Sequence, residues 1–166
     1  MPLSLVLEEA AAPHRNFGVA IEIERKGMGI EPVAGRNPGL AYGLGNLVDN
    51  AVDFAQSKVR LSAEWDPARV SVTISDDGPG FPPDVIDRLG EPYVTTRRHD
   101  TPPSGEHEGL GLGIFIAKTL LERSGARLRL ANRRPPEKGA AVTIEWPRER
   151  FEGPGATALA NMAAEA

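Results

Sequence analysis

Polar and apolar positions alternate along this chain in two distinct periods, and the changes between them mark out its elements. Leu5-Val6-Leu7 follows Ser4, a residue type that caps helices, and Glu8 and Glu9 sit where a helix dipole is positive, so a short helix to about His14 is predicted. From Phe17 to Glu24 the apolar Val19, Ile21 and Ile23 alternate with Ala20, Glu22 and Glu24, the period of a half-buried strand. Gly27, Gly29, Pro32 and Gly35 then read as a connector, and Pro38-Gly39 opens a second helix. In that helix Leu40, Leu44, Leu47, Val48, Ala51 and Ala55 recur at three- and four-residue spacing, which gives one buried face ending near Gln56. Asn46, Asn50 and Asp53 fall on another face, a polar ledge beside the core.

Lys58 to Trp65 and Arg69 to Ser75 alternate again around Asp66-Pro67-Ala68, which predicts a hairpin. A short helix follows over Asp84 to Leu89. From Gly90 to Gly113 no periodicity survives, and a loop of that length is usually functional or disordered. Helical spacing resumes from Ile114 to Arg123 and stops at Ser124-Gly125; two strands, Ala126 to Asn132 and Ala140 to Trp146, close the pattern. Residues 148–166 read as a flexible tail of small residues, leaving one domain over 1–147. The expected fold is α+β: a two-layer sandwich with a mixed, mostly antiparallel sheet covered on one face by helices.

Composition narrows the function. A chain of 166 residues with 40% hydrophobic content suits a single core. A net charge of -4 leaves no basic field for nucleic acid, so no nucleic-acid partner is expected. The absence of cysteine removes disulfides, thiolate metal sites and a thiol nucleophile. No apolar run reaches the roughly 20 residues that span a bilayer, so the chain reads as soluble, with room for it to be the soluble part of a membrane protein.

Three stretches carry chemistry. Asn46 and Asn50 sit one helical turn apart and aim two neutral amide oxygens in one direction; such oxygens suit Mg²⁺, and two merely solvated asparagines are the plainer alternative. Asp76-Asp77-Gly78-Pro79-Gly80 ends a strand. It is either an ordinary turn or a place where Asp76 accepts a hydrogen bond while the glycines let a flat group approach the backbone. Glu108 to Ile114 spaces Gly109, Gly111 and Gly113 directly ahead of the predicted helix, whose N-terminus offers N–H groups to phosphate; a plain hinge is the alternative. The spacing is not that of a dinucleotide-binding turn, and Ala117-Lys118-Thr119 lacks the glycine of a phosphate loop.

In this order NLVDNAVDFA, DDGPGF and GLGLGI resemble the N, G1 and G2 boxes of the GHKL (Bergerat-fold) ATP-binding superfamily, and Glu91 to Arg97 (EPYVTTR) is similar to the F-box region of sensor histidine kinases. The similarity runs from about Leu3 to Pro147. It implies a bacterial two-component sensor histidine kinase catalytic domain with ATP and Mg²⁺ as cofactors. Asn50 would ligate the metal with Asn46 assisting, and Asp76 would accept from the adenine amine. Gly78 and Gly80 would shape the pocket, with Phe54 near adenine. Gly109, Leu110, Gly111, Leu112 and Gly113 would belong to the lid and its hinge, and Arg97 would reach the γ-phosphate. GLGLGIFIAKTLLERSGA with EPYVTTR further resembles the redox-responsive sensor kinases of photosynthetic proteobacteria.

The hydrolysing branches of the superfamily place a glutamate base four residues before the Mg²⁺ asparagine, where this chain has Asn46, so ATP should be held without activating water. No confident catalytic residue remains, because none of His14, His99 and His107 has the context of a phosphoacceptor. The implied partners are ATP or ADP, the dimerisation and histidine phosphotransfer domain of the same kinase and, indirectly, a response regulator, with a cytoplasmic location. Asp53 stands where a basic residue is usual, and Ala140-Ala141 where a threonine is common. A nucleotide-sensing or protein-interaction module and an anti-sigma-type serine kinase remain the alternative readings.

Overall fold

The computed structural model describes residues 1–88 and 106–154. Five strands form one mixed sheet in the order β1-β2-β3-β5-β4. The strands are β1 (Ala20–Gly27), β2 (Lys58–Trp65), β3 (Arg69–Asp76), β4 (Arg127–Asn132) and β5 (Ala140–Pro147). β1 and β2 are parallel, because helix α2 (Pro38–Phe54) crosses between them; every other pair is antiparallel. The expected mixed, mostly antiparallel sheet is therefore what forms.

Alternation decides which sheet face is covered. Val59, Leu61, Val70, Val72, Ile74, Val142, Ile144 and Trp146 are buried on one face, and α1 (Leu3–Ala11), α2 and α4 (Glu106–Arg123) supply Leu3, Leu7, Leu44, Val48, Ile114 and Leu121 above it. The other face carries Glu22, Glu24, Arg60, Thr73 and Thr143, joined by exposed ion pairs and a Thr73–Thr143 hydroxyl contact of 3.2 Å. Such pairs contribute little stability, so the fold rests on the helix-covered face. Gly43 lets α2 and α4 approach closely: a Cβ there would lie 2.9 Å from Leu121 Cγ.

Several expected boundaries move. β1 starts three residues later than the alternation begins, because Asn16 and Gly18 both adopt positive φ and turn the chain, leaving Phe17 77% exposed. Ser4 does not cap α1 with its side chain; its N–H instead donates to Glu31 Oε1 at 2.6 Å, so the cap comes from a carboxylate 27 residues away. α1 ends at Ala11 and passes into one 3-10 turn at Ala12–His14, where Pro13 cannot continue the α-helical bonding. Asn37 caps α2, its Oδ1 accepting from Gly39 N at 3.0 Å, and α3 spans Pro83–Arg88.

Two differences matter more. α4 begins at Glu106, eight residues before the predicted Ile114, so Gly109, Gly111 and Gly113 lie within a helix and not in a loop ahead of it. The domain also continues past Pro147. Arg148–Glu152 form helix α5, with Phe151 4% exposed and its ring edge-on to Trp146 at 5.2 Å, while Arg148 donates to the carbonyls of Asp66 and Ile30. The single phenylalanine in a run of charges and small residues hides this packing from a periodicity reading. Residues 155–166 of the expected tail lie outside the described residues.

Candidate nucleotide-binding site

A cavity of about 460 Å³ opens between α2, the ends of β3 and β5, the turn after β3 and Ile114 of α4. Its lining is mostly apolar, including Leu47, Ala51, Phe54, Ile74, Phe81 and Val142, with Asp76 and Asn50 as the polar side chains. A mostly apolar pocket with few convergent polar groups is the usual form of a small-molecule site.

Asp76 ends β3 and is 4% exposed. The alternation that buries Val70, Val72 and Ile74 carries one step further and puts a carboxylate into the core face. Its Oδ1 accepts from Gly78 N at 2.9 Å and Ala140 N at 3.3 Å, and among the described residues Oδ2 accepts none, which leaves that oxygen for the cavity. Burial pushes the Asp76 carboxyl above its ordinary range, against the pull of the two N–H groups; neighbouring Asp77 adds to the rise and Arg133 opposes it.

The turn is built so that backbone closes on backbone. A Cβ on Gly78 would lie 2.0 Å from the Phe54 carbonyl oxygen, and one on Gly139 would lie 1.9 Å from the Asp76 carbonyl oxygen. Both positions therefore exclude any side chain. Gly80 has a positive φ of 84°, and its Cβ would lie 2.7 Å from Asn132 Oδ1. Asp77 points away from the cavity and anchors the start of β2 by accepting from the N–H groups of Gln56, Ser57 and Lys58 and from the Ser57 hydroxyl. Partial burial works to raise the Asp77 carboxyl, but the Ser57 hydroxyl and then the three backbone donors outweigh it and hold it well below the usual carboxylate range.

Asn50 reaches the same cavity from α2. Its Nδ2 is buried without a hydrogen-bond partner among the described residues, and Gly113 of α4 faces it so closely that a Cβ there would lie 3.0 Å from that nitrogen. Leaving a buried N–H donor unpaired is costly, and the oxygen of the same amide, at the cavity, accepts no hydrogen bond among the described residues, so it remains for a ligand. Asn50 thus fits a hard cation. Among the described residues no three His, Cys, Asp or Glu side chains come together to hold a metal, so a cation at Asn50 would complete its shell with water and ligand oxygens, as Mg²⁺ does.

Asn46 is placed differently from the expectation. It lines a separate groove between α1 and α2, beside Val6, Glu9, Tyr42 and Asp49, and does not line the Asp76 cavity. The two asparagines remain one turn apart on α2, with Asn50 lining the cavity and Asn46 the groove beside it. Asp49 hydrogen-bonds His14 Nε2, and Asp53 is exposed. Leu112 is exposed, Gly109, Leu110 and Gly111 have helical backbone in α4, and Arg97 lies outside the described residues with the rest of the F-box-like stretch.

The structure therefore brings together Asn50, Phe54, Asp76, Gly78, Gly80 and Gly113. Sequence reading missed Asp77 as an anchor, Gly139 as a close-approach position, and Asn132, whose side chain bonds both backbone groups of Phe81. Gly139 carried a signal in its type alone; Asn132 reads as an ordinary strand end.

A buried carboxylate, an unengaged asparagine and a glycine-locked turn around one apolar cavity form a site whose relatives can be sought. Residues 35–150, more than half of the chain, match the model of the histidine kinase-, DNA gyrase B-, and HSP90-like ATPase family. The chain belongs to that family. Within it the chain is similar to the sensor histidine kinase RegB of Cereibacter sphaeroides, with 46% identity over 90% of this chain and 36% of the relative, and to the sensor histidine kinase GtrS of Pseudomonas aeruginosa, with 36% identity over 90% of this chain and 29% of the relative. RegB agrees with the subfamily resemblance read from the glycine-rich stretch. The chain spans about a third of the length of these curated relatives.

Solved structures of the family's kinases share the fold. The mycobacterial sensor histidine kinase MprB matches with a TM-score of 0.64 at 25% identity, covering 89% of this chain and 95% of that one. Full-length ShkA, solved with AMPPNP, matches at 0.62 and 28% identity over 89% of this chain and 30% of its own. The chain is a histidine-kinase-type ATPase domain. No helix among the described residues is long and apolar enough to cross a membrane.

Proposed function

We propose that this domain binds Mg²⁺-ATP in the Asp76 cavity and donates the γ-phosphoryl group to a histidine carried outside this chain, on the dimerisation and phosphotransfer domain of a two-component sensor kinase. The observation that supports it most is Asp76: a buried carboxylate with one oxygen held by backbone N–H groups and the other left to an apolar cavity suits a flat heterocycle bearing an amino donor. Phe54, Ile74 and Val142 supply apolar walls for the ring. Asn50 lies on the α4 side of the cavity, where the triphosphate would extend. Mg²⁺, when bound, neutralises phosphate charge and orients the γ-phosphoryl group for in-line transfer.

The chain's own groups favour transfer over hydrolysis. Asn46 carries an amide where the hydrolysing branches carry a carboxylate, and an amide does not take a proton from water near pH 7. It also lines the neighbouring groove and not the cavity. In transfer the bond from the γ-phosphorus to the β,γ-bridging oxygen breaks, ADP leaves, and an imidazole nitrogen gains the phosphoryl group. By its relatives' description as sensor kinases, the location proposed is the cytoplasmic side of a sensor, with a response regulator as the eventual acceptor.

Incubation with γ-labelled ATP tests the proposal. The domain alone should neither label itself nor release phosphate at a useful rate, and mixing it with the separately supplied dimerisation domain should put an acid-labile, base-stable label on that domain. An acid-labile, base-stable label on this chain alone, or rapid phosphate release that Asn50→Ala abolishes, contradicts it.

A further inference from the structure

Pro79-Gly80-Phe81-Pro82-Pro83 form one wall of the cavity; its far end is held, because Pro82 O accepts from the N–H groups of Val85 and Ile86 where α3 begins, but the stretch before it has few donors of its own. Its three prolines have no N–H, so only Gly80 and Phe81 could donate a backbone hydrogen bond, and no strand of the sheet pairs with it. Phe81 is nevertheless 7% exposed, with its ring at the cavity. The last residue of β4 accounts for this. Asn132 Oδ1 accepts from Phe81 N at 2.7 Å while Asn132 Nδ2 donates to Phe81 O at 2.9 Å, so one side-chain amide satisfies both backbone groups of one residue, as a neighbouring strand would. The pairing fixes which way the amide faces, since an N–H needs an oxygen and a carbonyl needs an N–H. Gly80 completes the arrangement: the amide fits only because position 80 has no Cβ, which would lie 2.7 Å from Asn132 Oδ1.

We propose that Asn132 is a positioning residue for adenine recognition, which clamps the Phe81 backbone so that the Pro79–Phe81 wall stands at a fixed distance from Asp76. The proposal rests on the cavity being the nucleotide site. It acts through Phe81 and not through ligand contact, as Asn132 does not line the cavity. Replacing it should loosen the base end of the site and leave the phosphate end, at Asn50 and α4, as it was. That asymmetry separates positioning from general support of the fold.

Three readouts on the 166-residue chain decide it: the exchange rate of the Phe81 amide hydrogen without ligand, the affinity for adenosine diphosphate, and the affinity for inorganic tripolyphosphate with Mg²⁺. In Asn132→Ala the Phe81 amide should exchange at least about tenfold faster while the Val72 amide of β3 is unchanged. Adenosine diphosphate should bind about tenfold more weakly while tripolyphosphate binds as in the parent. Asn132→Asp keeps an acceptor for Phe81 N–H and loses the donor, so it should fall between; it also decides the matter by the same readouts if Asn132→Ala does not fold. Nucleotide affinity equal to the parent's, or an equal loss for both ligands, overturns the positioning role. A parent chain that binds no adenine nucleotide refutes the reading of the cavity and the role with it, whereas a parent that binds and variants that bind equally refute the role alone.

Discussion

Asp76→Asn separates what the carboxylate does for the fold from what it does for a ligand. Asp76→Ala does not, because it orphans the buried N–H groups of Gly78 and Ala140 together with any ligand bond. Asparagine keeps an oxygen at the Oδ1 position for both donors and puts an NH₂ where Oδ2 faces the cavity. An adenine amine would then meet a donor in place of a charged acceptor, a loss of about 1.5–3 kcal/mol, or about 10- to 150-fold in ATP affinity. Stability should move the other way. Burial raises the Asp76 carboxyl pKa in the folded state, so the parent loses stability as pH rises from the ordinary carboxylate value through the raised folded value, and the neutral variant is spared that loss. Calorimetric titration with ATP and GTP, with thermal unfolding of the same samples at pH 7, reads both effects. An Asp76→Asn domain that melts at or above the parent's temperature yet binds ATP as tightly, with unchanged preference over GTP, refutes the assignment.

Asp77→Asn should cost about 1–2 kcal/mol at neutral pH, since a charged acceptor of four hydrogen bonds is lost. The parent's folded pKa is depressed, so that contribution is present above the ordinary carboxylate value and fades as pH falls through the folded one; melting curves should show the gap between parent and variant closing below about pH 4. Phe151→Ala should destabilise by about 3–5 kcal/mol in denaturant unfolding, where a free tail beginning at residue 148 would cost nothing. Gly113→Ala should hold or raise helix stability, alanine being better in a helix by about 1 kcal/mol, while weakening Mg²⁺-nucleotide binding as the new methyl group displaces Asn50; unchanged affinity contradicts the proposed role of Asn50.

The legible parts of this molecule were those where one period governs many residues. The apolar stripe of α2 and the alternation in β2, β3 and β5 name the buried residues almost one by one, and the Asp76 turn announces itself by two acids and two glycines at a strand end. What resisted reading depends on contacts distant in sequence. Glu31 caps α1 across 27 residues, and Asn132 reaches Phe81 across 51. Glycine disfavours helix locally, so the sequence pattern starts α4 only at Ile114, yet the structure carries helix through Gly109, Gly111 and Gly113. The two asparagines of α2 share a face and read as one ledge, but in the structure Asn46 lines the groove between α1 and α2 and Asn50 lines the cavity.

Titration of ATP into the domain with and without Mg²⁺, followed by calorimetry and by the amide resonances of Asp76, Gly78 and Asn50, tests the central claim most directly. ATP should bind at micromolar to low-millimolar concentration, shifting the Asp76 and Gly78 resonances with or without metal and those of Asn50 only with it. Absence of heat and of shifts at millimolar nucleotide, or shifts confined to the groove between α1 and α2, would contradict the account.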